Sequence, residues 1–146
     1  MAYSNALSAY KETRIRTAGQ GQLIIMLYDG AIKQMDKAVE LIKAEGAKIR
    51  PGAIEQINQA LVKAQEIITE LMASLDFEAG GEIANNLFAL YSWFNRELLE
   101  ANLSRDNERI AKVREFMDSL RAAWQEVAAK TRAEPGKAGS GVNIAG

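Results

Sequence analysis

The side chains that could do chemistry in this chain are carboxylates, lysines, arginines and tyrosines, because its 146 residues include no cysteine and no histidine. That removes thiol nucleophiles, disulfides, thiolate zinc and iron–sulfur ligation, together with the commonest general base and metal ligand. A di-metal centre of the kind built into helix bundles needs inward-pointing Glu-x-x-His pairs, which this sequence cannot supply. Asp36, Glu40, Glu66, Glu70, Glu97 and Glu100 stand next to Lys or Arg on helical segments. Solvated faces and i,i+4 pairs account for them without a paired-carboxylate site. Gly80-Gly81 reads as a linker and N-cap region, not a phosphate cradle. No catalytic residue, metal or cofactor is expected, and an enzyme would have to work through carboxylate, lysine or tyrosine chemistry alone.

Function then falls to apolar surface left over after the core is assigned. Four of the ten aromatic residues, Phe88, Tyr91, Trp93 and Phe94, fall within seven positions, and aromatic anchors are what protein-binding patches use. At about 100° per residue, Phe88, Trp93 and Leu99 lie more than a right angle from the apolar stripe of their helix and should be partly exposed. The run Leu23-Ile24-Ile25-Met26-Leu27-Tyr28 is apolar throughout, so at least one member points outward, Leu23 and Met26 being the best placed. Gly30 follows two residues later, where it marks either a close approach by another backbone or a ligand, or simply a helix–helix contact point. Tyr3, Leu7 and Tyr10 give one apolar side to a helix too short to persist alone, which must dock or stay disordered.

The elements that position these residues are helices. With 48% hydrophobic and 25% charged residues the chain can bury one ordinary core. Ile54, Ile57, Leu61, Ala64, Ile68, Leu71 and Leu75 recur at spacings of three and four. So do Ile24, Leu27, Ala31, Met35, Ala38 and Ile42 in the first segment, Ile83, Leu87, Leu90, Phe94 and Leu98 in the third, and Ile110, Val113, Met117, Leu120, Trp124 and Val127 in the fourth. No segment reads as a strand. The spacing predicts an all-α protein, an antiparallel up-down four-helix bundle with helices near 20–45, 52–75, 82–101 and 106–132 in one domain spanning 1–133. Ser104 or Asp106 would cap the last helix. Residues 1–18 form a short, mobile N-terminal helical segment, and the glycine-rich residues 134–146 a flexible tail. The net charge of -1 argues against nucleic-acid binding. No leader pattern and no apolar run of membrane-spanning length is present, so a cytoplasmic protein without membrane insertion is expected.

Five segments, in order, resemble the FliS family of flagellar secretion chaperones. They are the Tyr3 and Tyr10 spacing with Leu23-Ile24-Ile25-Met26-Leu27-Tyr28-Asp29-Gly30-Ala31-Ile32, then Ser74-Leu75-Asp76-Phe77-Glu78-Ala79-Gly80-Gly81-Glu82-Ile83-Ala84, Asn86-Leu87 through Leu90-Tyr91, Ala101-Asn102, and Leu120-Arg121-Ala122-Ala123-Trp124. Thr17-Ala18-Gly19-Gln20-Gly21 departs from the Ser-Pro helix start common in that family. The resemblance implies a cytoplasmic export chaperone that binds the disordered C-terminal segment of flagellin, prevents premature polymerisation and keeps it fit for type III secretion. It implies that Leu7 and Tyr10 belong to a cap over the client site, and that Leu23, Met26, Leu27, Tyr28, Tyr91, Leu99 and Asn102 form client grooves or support them. Phe88 and Trp93 join this set from the helical wheel alone. The export gate and other flagellar regulators are further candidate partners. The reading from another class is a bundle acting through self-association, with Phe88, Trp93 and Leu99 as one patch, or as a regulatory adaptor.

Overall fold

The computed structural model describes residues 20–133, which form α1 (Gln20–Glu45), α2 (Pro51–Ala73), α3 (Phe77–Ser104) and α4 (Asn107–Ala133). Leu7 and Tyr10, the N-terminal segment and the 134–146 tail lie outside the described residues.

Each helix stops for a local reason. Past α1, Gly46 takes φ 70° and its N–H bonds the Ile42 carbonyl at 3.3 Å, the left-handed exit that glycine alone adopts without strain. Arg50 then donates from its backbone N and from Nε to Glu45 Oε1, both at 2.9 Å, and Pro51 opens α2 where a missing N–H costs nothing. Asp76 caps α3 by accepting from the N–H groups of Glu78 and Ala79 at 3.0 Å. Between α3 and α4, Arg105 is left-handed at φ 52°. Asp106, of the two predicted cap residues, does the capping: its Oδ1 accepts from Glu108 at 3.0 Å and Arg109 at 3.3 Å. Ser104 instead turns its hydroxyl back to the Glu100 carbonyl.

Successive helices pack side by side and α4 closes the ring against α1. Interhelix pairs fix their directions. Asp29 meets Arg121 and Asp36 meets Arg114, so α1 and α4 run opposite ways. Asn58 meets Asn102 and Gln65 meets the Asn95 carbonyl, so α2 and α3 do too. The result is the predicted all-α antiparallel bundle. Its centre is filled by Met35, Leu61, Ile68, Phe94, Leu98, Ile110 and Met117, all fully buried. Gly30 faces α2 at close range: a Cβ there would stand 3.2 Å from Ile67 Cδ1.

Three expectations about facing are corrected. The third stripe was phased on Ile83, Leu87, Leu90, Phe94 and Leu98, yet Ile83 is 70% exposed and the buried set is Ala84, Tyr91, Phe94, Leu98 and Ala101. The small alanines and a tyrosine with a buried partner for its hydroxyl carry a face that counting large aliphatics misses. Leu23, expected to point outward, is 3% exposed, because α1 packs against α2 on one side and α4 on the other and so buries a wide arc; Met26 is the outward residue, 48% exposed. Val127 is exposed and its neighbour Ala128 is buried in its place, set against Gly21. The third helix also begins earlier than 82, since Asp76 caps an extra turn from Phe77 before Gly81, at φ 51° and ψ -123°, kinks the chain.

Candidate functional site

Of the sequence-predicted site residues, the structure places Leu23, Leu27, Tyr28 and Tyr91 inside the bundle. The two tyrosines meet there: their hydroxyls are 2.7 Å apart and their rings pack edge-on at 6.4 Å. Burial drives both phenols well above the ordinary tyrosine range, and the neighbouring Tyr91 adds to the effect on Tyr28. The Trp124 indole, which can only donate, approaches the Tyr28 hydroxyl and works the other way. A neutral donor and acceptor pair at this position joins α1 to α3 across the core and carries no nucleophile.

The remaining predicted residues are reachable from solvent but do not form one patch. On a wheel centred on Tyr91, at about 100° per residue, Phe88 and Leu99 fall about 60° and 80° to one side and Trp93 about 160° to the other. The first side faces α2. There Asn95 Nδ2 donates to Thr69 Oγ1 at 3.2 Å and Asn102 Nδ2 to Asn58 Oδ1 at 2.6 Å, lacing the seam together. Leu99, 49% exposed, lies between Asn95 and Asn102 on α3, while exposed Val62 lies between Asn58 and Gln65 on α2. Leu103, 67% exposed, prolongs this strip at one end. At the other, exposed Phe88 packs edge-on against exposed Phe77 at 5.9 Å. The outside of the α2–α3 seam is therefore an apolar strip with amide groups at its floor.

The second side faces α4, the sparser of the seams that α3 makes. Half-buried Trp93 stands edge-on to exposed Phe116 at 5.7 Å, and beside them Arg109 holds Glu97 at 3.1 Å. Trp93 and Leu99 thus lie on opposite flanks of α3, which removes the single Phe88, Trp93 and Leu99 patch expected for self-association. Val62, Phe77, Leu103 and Phe116 were not anticipated as surface anchors. A wheel centred on Tyr91 instead of Leu90 would have found Leu103, which falls on the flank of Leu99, whereas Phe77 lies before the Gly81 kink and Val62 and Phe116 sit on other helices.

Two of the six carboxylates expected on solvated faces or in i,i+4 pairs, Asp36 and Glu97, instead pair between helices, as does Asp29. Asp36 receives Arg114 Nε at 2.8 Å, Asp29 receives Arg121, and Glu97 receives Arg109, all between helices. Their side chains remain partly solvated, so the pairs add little stability and serve mainly to match α4 with its neighbours α1 and α3. Among the described residues no group of three or more acidic, His or Cys side chains is arranged to hold a metal ion, and no helix is long and apolar enough to cross a membrane.

The family model described as Flagellar protein FliS matches residues 3–131 of this chain. The chain is 38% identical over 120 residues to the Flagellar secretion chaperone FliS of Salmonella typhimurium, covering 82% of this chain and 84% of that protein. It is 32% identical over 126 residues to its Bacillus subtilis counterpart, covering 86% and 88%. With the Escherichia coli protein of the same name it shares 35% identity over 116 residues, covering 79% and 80%.

Proposed function

Because the chain belongs to the FliS family of flagellar secretion chaperones, we propose that it binds the disordered C-terminal segment of flagellin in the cytoplasm and keeps that subunit from polymerising before type III export. The observation that carries this reading is the exposed apolar strip of Val62, Leu99, Leu103 and Phe88 along the outside of the α2–α3 seam. An amphipathic client segment folding onto it would cover large side chains worth about 1.5–3 kcal/mol each when fully buried, offset by the cost of ordering the segment. Asn102, Phe88 and Leu99 touch the client on this strip, with Met26 and Trp93 contributing from their own faces. Leu23, Leu27, Tyr28 and Tyr91 are buried and act by holding α1 and α3 in place beneath. Leu7 and Tyr10 belong to a cap that shares the site and moves aside, and the export gate and other flagellar regulators draw on the same surface.

The test is calorimetric titration of the full chain with a peptide covering the last few tens of residues of flagellin from the same organism. Saturable one-to-one binding with a negative heat-capacity change is expected. Leu99→Ser and Leu103→Ser should each weaken it about tenfold, the equivalent of about 1.4 kcal/mol, without lowering the melting temperature. A folded chain that shows no saturable binding would overturn the proposal.

A further inference from the structure

α4 is held in two different ways along its length. Ile110, Val113 and Met117, all fully buried, belong to its first three turns. Past Met117 the described side chains of this helix include one that is buried, Ala128, and two sizeable half-buried ones, Leu120 and Trp124. This distal half rests on less: half-buried Leu120 and Trp124 packed against the core, the Arg121 guanidinium on the Asp29 carboxylate, and the Ala128 methyl, which a Cβ built on Gly21 would approach to 3.3 Å. None of these side chains is fully inaccessible, as the three that anchor the proximal half are, and a solvated ion pair adds little.

We propose that residues 118–133 form a strap that lifts from the body and recloses as one unit while α1, α2, α3 and the first three turns of α4 stay folded. Asp29–Arg121 is its clasp. Lifting it bares Tyr28, together with Ile25 and Ile32, which lie one turn to either side of Asp29 on α1 and are buried in the closed state. The bundle thereby holds a second, concealed apolar face beside the permanently exposed α2–α3 strip. The inference concerns the free protein and does not depend on what it carries.

Native-state hydrogen exchange of the full chain, resolved by residue, tests this. Amides of 121–129 should exchange at least tenfold faster than those of 110–117, and should share one opening equilibrium with a common denaturant dependence. Asp29→Asn should speed 121–129 a further severalfold and leave 110–117 unchanged. The chain has no cysteine of its own, so an oxidised Gly21→Cys, Ala128→Cys pair gives a single staple that should slow 121–129 to the rate of 110–117. Rates within twofold along all of α4 would overturn the proposal, as would a smooth rise toward the C-terminus, which is ordinary fraying. So would an Asp29→Asn effect that is equal on both halves of the helix.

Discussion

Removing the Tyr91 hydroxyl should cost less stability than removing that of Tyr28, and removing both should cost less than the two losses added. The reasoning starts from the 2.7 Å hydroxyl pair, sealed in the core with both rings essentially inaccessible. A buried polar group deprived of its partner loses its compensation for desolvation, about 1–3 kcal/mol, whereas replacing both partners by apolar groups of the same shape is close to neutral. In Tyr91→Phe, the Tyr28 hydroxyl keeps the Trp124 indole near it, so the expected loss is at the low end, about 1–1.5 kcal/mol. In Tyr28→Phe, the Tyr91 hydroxyl and the Trp124 N–H are both stranded, the latter only half-buried, and about 2–3 kcal/mol is expected. The double variant strands Trp124 alone and should lose about 1–2 kcal/mol, which leaves a coupling of at least about 1 kcal/mol between the two sites. Urea unfolding followed by circular dichroism, with the slope checked for constancy, measures all three. Additive losses would refute the argument, because they would mean that the hydroxyls stabilise the fold independently. Equal single losses would remove Trp124 from it.

The same pair sets an alkaline limit. Folded pKa values raised above the unfolded value mean that the folded state holds its protons where the unfolded chain releases them. Stability should therefore be constant below about pH 10 and then fall by up to about 1.4 kcal/mol per pH unit for each tyrosine; Tyr28→Phe with Tyr91→Phe should flatten that fall, as unfolding free energies between pH 9 and 11.5 would show. At the acid end, the Glu45 carboxylate is held down to about 2 by its hydrogen bonds from Arg50. Its contribution is complete above the ordinary carboxylate range and lost as pH falls toward 2, so Glu45→Gln should reduce the acid-induced drop in melting temperature while changing little below that point. For Gly30, Ile67→Val should cost about 0.5–1.5 kcal/mol and remove the very atom that a Cβ at position 30 would meet at 3.2 Å. Adding Gly30→Ala to Ile67→Val should then recover about 1 kcal/mol of helix propensity, whereas Gly30→Ala alone should recover less, and equal recoveries in chemical denaturation would contradict the close contact.

The architecture could be read from spacing because three of the four stripes are built from large aliphatic residues at three- and four-residue intervals, and these are what the core selects. The third was misphased for a physical reason. Gly81 breaks the helical phase at its start, leaving Ile83 in solvent, and the buried face downstream relies on Ala84, Tyr91 and Ala101, whose size or polarity hides them from a hydrophobic wheel. The outward role of Met26 was legible, since a run of six apolar residues exceeds what one face can take, but Leu23 was lost because a helix with neighbours on two sides buries more than one stripe. The capping role of Asp106 was legible from local chemistry alone. The partners of Asp29, Asp36 and Glu97 were not, because pairing between helices depends on how far each is slid along the next, and that offset is a product of the packed core. The apolar strip along α2–α3 was half visible for the same reason: Leu99 and Phe88 stand out on their own helix, but Val62 joins them only once the seam aligns the two.

The rungs Asp29–Arg121 and Asp36–Arg114 are separated by seven residues on both helices. A ladder with that symmetry is a ruler with identical marks. Shifting α4 by one heptad would still mate Arg114 with Asp29, or Arg121 with Asp36, and so keep one rung of two. Attraction between these charges therefore selects the neighbour without specifying the alignment. The alignment comes from the packed core, Ile110, Val113 and Met117 on α4 among it, and the close contact of Gly21 with Ala128, where a Cβ on the glycine would stand 3.3 Å from the alanine methyl, adds to it. A slip in one direction would bring Arg121 to that spot and in the other Pro135. The charges alone would thus tolerate a slip of seven residues, and it is close packing between the helices that forbids it.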